Sequence, residues 1–158
     1  MPLAGVIYLH RISDVRMSGT SYTNLRMLRS LCGRDTLSNV ILASTMWDKV
    51  TPAEGGRREK ELLDEKNFWG QLRQFGAKPW RYDNTQGTAT AMVNYLLQRD
   101  PVVLQIQREL AVEKKKLIDT SAGKSISVQL DDLEKKFADD LAFIKEDLIQ
   151  AQRNGKTF

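Results

Sequence analysis

Cys32 and His10 are the only thiol and the only imidazole in this 158-residue chain. A lone cysteine leaves no internal disulfide to form and suits a reducing compartment. It falls in the pattern Leu25, Leu28, Leu31 before Gly33, which reads as the buried face of a helix ending at a glycine cap. His10 lies beside Arg11 and Asp14 with no second ligand or nucleophile in view, so it reads as a structural or loop-anchoring residue. No apolar run is long enough to span a bilayer, so no transmembrane segment is expected. Met1-Pro2-Leu3-Ala4 has neither the basic nor the long apolar region of a signal peptide, and the expected location is cytoplasmic. An excess of one charge is also missing. The 24 basic and 20 acidic residues give a net charge of +4, which describes a solvated surface and not a nucleic-acid binder.

A complete phosphate-binding loop is absent as well. Ala122-Gly123-Lys124-Ser125 resembles the end of Gly-x-x-x-x-Gly-Lys-Ser/Thr, but the first glycine is replaced by Ile118 and a charged helix precedes it where a strand is needed. Without them the backbone cannot form the nest of N–H groups that holds phosphates, and the segment reads as a helix-break-helix connection.

What the chain does have is enough apolar content, 41%, for one globular domain with an appendage. Its organising stretch is Asn39 to Asp48, where Val40-Ile41-Leu42-Ala43 stops at Thr45-Met46-Trp47-Asp48. A buried strand ending at a carboxylate is how an open α/β sheet presents a ligand-binding group, which makes Asp48 a binding candidate. Gly5 to His10 reads as another buried strand, followed by a loop in which Ser18, Gly19, Thr20 and Ser21 are possible caps for a helix from about Tyr22 to Cys32. Beyond Asp48, Thr51 can cap and Pro52 can open a helix. A long helix is predicted from around Arg57 to Phe75, stopped by Gly76, with Leu62, Phe68, Trp69, Leu72 and Phe75 as core. Lys78 to Tyr82 is a short strand ending in Asp83-Asn84-Thr85. Thr88 can then cap a helix whose stripe is Ala89, Met92, Val93, Leu96 and Leu97. Strand and helix alternate three times, which calls for an α/β fold of three parallel strands with right-handed crossovers, flanked by helices.

The remainder is more charged. A helix is expected to start at Asp100-Pro101 and run through Glu113-Lys114-Lys115-Lys116 with a thin apolar line. After a break at Thr120 to Gly123, a second helix carries Ile126, Leu130, Leu133, Phe137, Leu141, Ile144 and Leu148 as one narrow seam. The two C-terminal helices can form an antiparallel hairpin, extend as a coiled coil, or pack on the α/β body.

Several of these segments together are similar to one family. Gly5 to Asp14, Asn39-Val40, Thr45 to Asp48, Phe68-Trp69, Gly76 and Tyr82 to Thr85 resemble the second half of a G domain, as in fungal G-domain proteins, which are P-loop GTPases similar to septins and immunity-associated GTPases. The likeness covers about Leu3 to Gln98. It implies a partial P-loop NTPase fold, with 1–98 as the C-terminal half of a G domain and 99–158 as a helical extension. It also implies a guanine nucleotide, GTP or GDP, as ligand. Asp48 falls on the residue that reads guanine, Thr45 on the one that steadies that loop, and Asn84 on a residue contacting the base carbonyl. Met46 stands where the family usually has lysine. The family's phosphate loop, magnesium-binding threonine and Asp-x-x-Gly segment precede the strand matched by Gly5 to His10, and none is in this chain. Mg2+ binding and hydrolysis are therefore expected only of a complete relative.

The alternative is a non-nucleotide interaction module whose C-terminal seam binds a partner helix. Under the G-domain reading the strand Gly5 to His10 lacks its usual neighbour, and Val6 to Leu9 form an open edge without a charged or proline gatekeeper, so a homo-oligomer is a further expected partner.

Overall fold

Val40, Ile41, Leu42 and Ala43 have no exposed surface in the computed structural model, which describes residues 1–15 and 19–154, with side chains as far as 151. They form the central strand β2 (Val40–Thr45), with β1 (Val6–Arg11) parallel on one side and β3 (Lys78–Arg81) parallel on the other. The architecture is thus α/β with three parallel strands flanked by helices, as the alternation predicts. Successive residues of β2 point to opposite faces, so the strand needs two separate covers. Val40 and Leu42 pack with α1 (Gly19–Cys32), with Leu62 of α2 (Pro52–Asp64) and with Leu72 of α3 (Gln71–Gln74). Ile41 and Ala43 pack with Met92 and Leu96 of α4 (Gln86–Leu97). Both crossovers carry their helices on the first face, as same-handed crossovers between neighbouring strands require.

Local signals account for several ends. Thr51 caps α2 by accepting from the Glu54 N–H at 3.3 Å, and Pro52 takes the first turn. The α1 cap predicted at Ser18 lies outside the described residues, while Gly19, Thr20 and Ser21 are within the helix. Cys32 is buried at the end of α1, and burial pushes its thiol up to about 11. Thr88 does not cap α4. Thr85 does, through the Thr88 N–H at 3.2 Å. Only Met92 and Leu96 of the α4 stripe are buried, and Val93 and Leu97 remain exposed.

The long helix expected from about Arg57 to Phe75 is broken. Glu65 is extended, and its carbonyl accepts from both Phe68 and Gly70 in a wide turn over Lys66–Gly70 before α3 begins. Gly70 permits this, because a Cβ there would lie 2.8 Å from the Glu65 oxygen. Asp100-Pro101 opens no helix either. Leu3 and Val102 exchange backbone hydrogen bonds at 2.8 Å, and the Asn39 amide donates to the carbonyls of Ala4 and Asp100, so the chain after α4 is tied to the start of the sheet. The helix comes later and is short, α5 (Gln105–Ala111), with Leu104 entering the same core as Leu28 and Leu42.

The segment Glu113 to Lys116 leaves the helix because the chain turns back towards Glu109. Lys114 is left-handed, with φ 51°, and Lys115 reaches the Glu109 carboxylate at 3.4 Å. Glu109 also accepts from the Ser121 N–H at 3.0 Å, the Ser121 hydroxyl at 2.7 Å and the Gln105 amide at 3.4 Å. Its carboxylate therefore sits on the N-terminus of the last helix, α6 (Ser121–Asn154), where an anion is favoured. Burial alone would raise its pKa, but the bonds from Ser121, Gln105 and Lys115 hold it at about 2. Thr120 completes the cap by accepting from the Gly123 N–H at 3.0 Å. Gly123 and Lys124 are consequently in the first turn of α6 and not in a break. A Cβ at Gly123 would run into the Leu117 carbonyl, so the glycine serves close packing.

α6 packs on α1 through its first turns, with Ala122 buried, while residues 131–151 are exposed throughout. The C-terminal helices thus form no hairpin with each other. No helix among the described residues is long and apolar enough to cross a membrane.

Glu109→Gln should lower stability at neutral pH by about 2–3 kcal/mol, because it weakens charge-assisted hydrogen bonds at a buried site. A carboxylate whose pKa falls on folding stabilises fully above its unfolded value, and that contribution is lost as pH falls towards 2. Urea unfolding followed from neutral pH into acid should show this loss in the parent chain and a flatter dependence in the variant.

Candidate functional site

Parallel pairing brings the carboxyl ends of all three strands to one edge of the sheet. Arg11 lies opposite Thr45, and Ser44 opposite Arg81, so the loops after β2 and β3 leave from neighbouring positions. Those loops carry Asp48 and Asn84.

The β2 loop turns at once. Met46 is left-handed, with φ 60° and ψ 39°, and Trp47–Lys49 form a single 3-10 turn. The Trp47 indole N–H donates to the Ser44 carbonyl at 3.2 Å and to its hydroxyl at 3.1 Å. On one side Gly55 admits the ring, since a Cβ there would sit 2.7 Å from Cζ3. The Arg81 guanidinium lies 4.4 Å from the ring centroid, and it is anchored by Glu59, which accepts from Arg81 Nε at 2.8 Å and raises the Arg81 pKa. A Trp fixed by its own strand, a glycine and a cation gives the turn one geometry.

Asp48, like the adjacent Lys49, is left in water. Its side chain is 67% exposed, and its ion-pair partner is the adjacent Lys49 at 3.1 Å. Thr45 faces inward instead: its hydroxyl donates to the His10 carbonyl at 3.3 Å, and its own carbonyl accepts from the Ile12 N–H at 2.9 Å. It ties β1 to β2 directly beneath the turn.

The second loop is organised by Asp83. The Thr88 and Thr85 hydroxyls and the Thr85 N–H all donate to its carboxylate and hold its pKa below the usual range. Asp83 is spent on closing the loop, whereas Asn84 is exposed and left-handed, with φ 64°. Asparagine is one of the few residues that takes this conformation readily. The edge therefore offers an exposed carboxylate, paired only with the adjacent Lys49, and an exposed amide on two fixed turns, a set suited to a planar ligand edge with N–H and C=O groups. Among the described residues, no cluster of His, Cys, Asp or Glu is arranged to hold a metal ion.

His10, at the end of β1, is buried and edge-on to Trp69, with ring centroids 6.0 Å apart. Burial lowers its pKa, with Asp14 acting in the opposite direction and Arg11 adding to the lowering. Arg58, in the charged stretch at the start of the predicted helix, is buried and donates to the carbonyls of Ile12 at 3.0 Å and Ser13 at 2.9 Å, fixing the loop after β1. Trp47, Arg81 and Arg58 all position the site without being recognisable in the sequence; the small residue Gly55 in the first turn of α2 was the available signal for the first.

Met46→Val should destabilise the fold by about 1–2 kcal/mol, because a β-branched side chain is strained at positive φ, whereas Met46→Gly should be neutral or slightly stabilising. Thermal unfolding of the pair checks whether this turn is held as described. No protein-family model, curated protein or solved structure matches the chain.

Proposed function

We propose that this chain is the base-recognition half of a GTP-binding domain, a partial P-loop NTPase fold in which Asp48 accepts from the N–H groups of guanine. Asn84 contacts the base carbonyl, and Thr45 holds the turn in place. The observation that carries the reading is the adjacency of the two loops at the carboxyl edge of three parallel strands in the order β1-β2-β3, with Asp48 exposed on a turn that Trp47 locks. The resemblance over Leu3 to Gln98 supplies the choice of guanine. A position of β1 at the outside of the sheet agrees with a G domain in which another strand pairs there.

The Asp48 and Asn84 edge carries no phosphate-binding loop, and most of a nucleotide's charge is in its phosphates. The chain by itself is expected to bind GDP only weakly and to leave GTP intact, since hydrolysis needs the donors and Mg2+ site of the missing segments. In an NMR titration, GDP should shift amides around Asp48 and Asn84, and ADP should not. Asp48→Asn should reverse the preference towards xanthosine diphosphate, which has an acceptor where guanine has a donor, with a change of about tenfold in relative affinity. Shifts scattered over the surface, or equal for GDP and ADP, would reject the assignment.

A second reading is favoured by α6, whose Leu130, Leu133, Phe137, Leu141, Ile144 and Leu148 are each about half exposed along one face. Asp131 to Asp147 contains seven carboxylates against three lysines, so like charges disfavour pairing with a second copy and favour a basic partner helix. Under this reading a synthetic basic helix with leucines at heptad spacing should gain helicity on mixing with the chain, as seen by circular dichroism, and Phe137→Glu should abolish the gain.

A further inference from the structure

A cleft of about 720 Å3 opens between α1, the turn that follows it, α3, α5 and the first turns of α6. It lies at the end of the sheet opposite Asp48 and Asn84: Gly33, Arg34 and Leu37 on its wall precede β2, and Phe75 precedes β3. Its size is within the usual range for small-molecule sites, about 300–1,000 Å3.

The lining is charged in one sense only. Arg26, Arg29, Arg34 and Lys124 face it, and among the described residues no carboxylate does. The ion pairs of the described residues involve Arg11, Lys49, Arg58, Arg81, Arg108 and Lys115, and none of the four cations that converge on the cleft. The nearby Glu109 carboxylate does not line the cleft, and its cationic partner is Lys115. Two of the guanidinium groups are also held in position. Arg34 lies 3.9 Å above the centroid of the Phe75 ring, and Arg29 donates to the Gln71 side chain. Keeping like charges together in a concave wall costs free energy, which a multiply charged anion would relieve.

The α6 N-terminus adds little by itself. Its first N–H groups are taken by Glu109 and Thr120, so recognition rests on side chains. Lys124 and Ser125, from the segment that resembles the end of a phosphate loop, do line the cleft. Their contact with a phosphate would need no backbone nest.

We infer that this cleft is a binding site for a small, multiply phosphorylated anion, gripped by Arg26, Arg29, Arg34 and Lys124. Guanidinium forks suit phosphate oxygens, and the apolar wall of Phe75 and Leu37 leaves room for an organic body. The same chemistry is offered by a free polyphosphate and by a phosphorylated inositol lipid headgroup. The site is independent of guanine recognition.

Calorimetric titration of the full chain with pyrophosphate and with inositol hexakisphosphate should give saturable 1:1 binding in low salt, weakening as salt is raised. Arg26→Gln and Lys124→Gln change exposed side chains with no protein partner in the cleft, so circular dichroism should be unaltered, while affinity should fall about tenfold in each. Lys60→Gln, an exposed change on α2, should leave binding intact. Sedimentation with phosphatidylcholine vesicles containing phosphatidylinositol bisphosphate separates the two sources: capture that Lys124→Gln abolishes assigns the lipid headgroup, and its absence with soluble binding retained assigns a free phosphate compound. No saturable binding of either soluble probe and no vesicle capture would overturn the inference, as would equal weakening by Lys60→Gln.

Discussion

Burial of β2 on both faces is the constraint on which the rest of this molecule depends. A strand whose two faces are both apolar is stable only between two layers, and a parallel neighbour on either side forces each connection to cross the sheet through a helix. α1 and the pair α2–α3 satisfy one face, and α4 the other. With the strands parallel, every exit loop gathers at one end and every entry at the other. The two candidate sites of the chain inherit their separation from this arrangement: the exit edge presents Asp48 and Asn84, and the entry edge presents the arginines around the end of α1.

A second requirement governs the attachment of α6. A buried carboxylate has to be satisfied from several directions, and Glu109 draws its donors from α5, from the returning chain at Lys115 and from the start of α6. The cap of one helix is thereby made a tertiary contact. This explains how a largely solvent-exposed helix is joined firmly to an α/β body at its first turn, and why the wall of the basic cleft contributed by α6 has a fixed relation to α1.

The parts of the fold that were legible in the sequence are those set by local pattern. The runs in β1 and β2, the Thr51-Pro52 helix start and the Cys32-Gly33 helix end all carry their cause within a few residues. What was not legible depended on distant partners. Leu62, Trp69 and Leu72 keep helical spacing whether or not the chain bends between them, so only Gly70 marked the bend. Glu113 to Lys116 has good helix formers, but the pull of Glu109 on Lys115 turns the segment out of helix. At the site, Asp48 was visible as a carboxylate ending a buried strand. The stacking of Arg81 on Trp47, the burial of Arg58 and the meeting of Lys124 with Arg26, Arg29 and Arg34 arise only once separate elements are packed.

The exposed length of α6 has a consequence for how the molecule comes apart. Residues 131–151 extend for about 30 Å without burying a side chain in the body. Helix held only by its own hydrogen bonds is marginal in water, so opening of this part is not linked to melting of the sheet. The chain should behave as two cooperative units, with amides of β2 exchanging only on global unfolding and those near Leu148 exchanging from local excursions. A protease would then shorten the protein from its distal end down to the Glu109 clasp and stop there, leaving an intact α/β body.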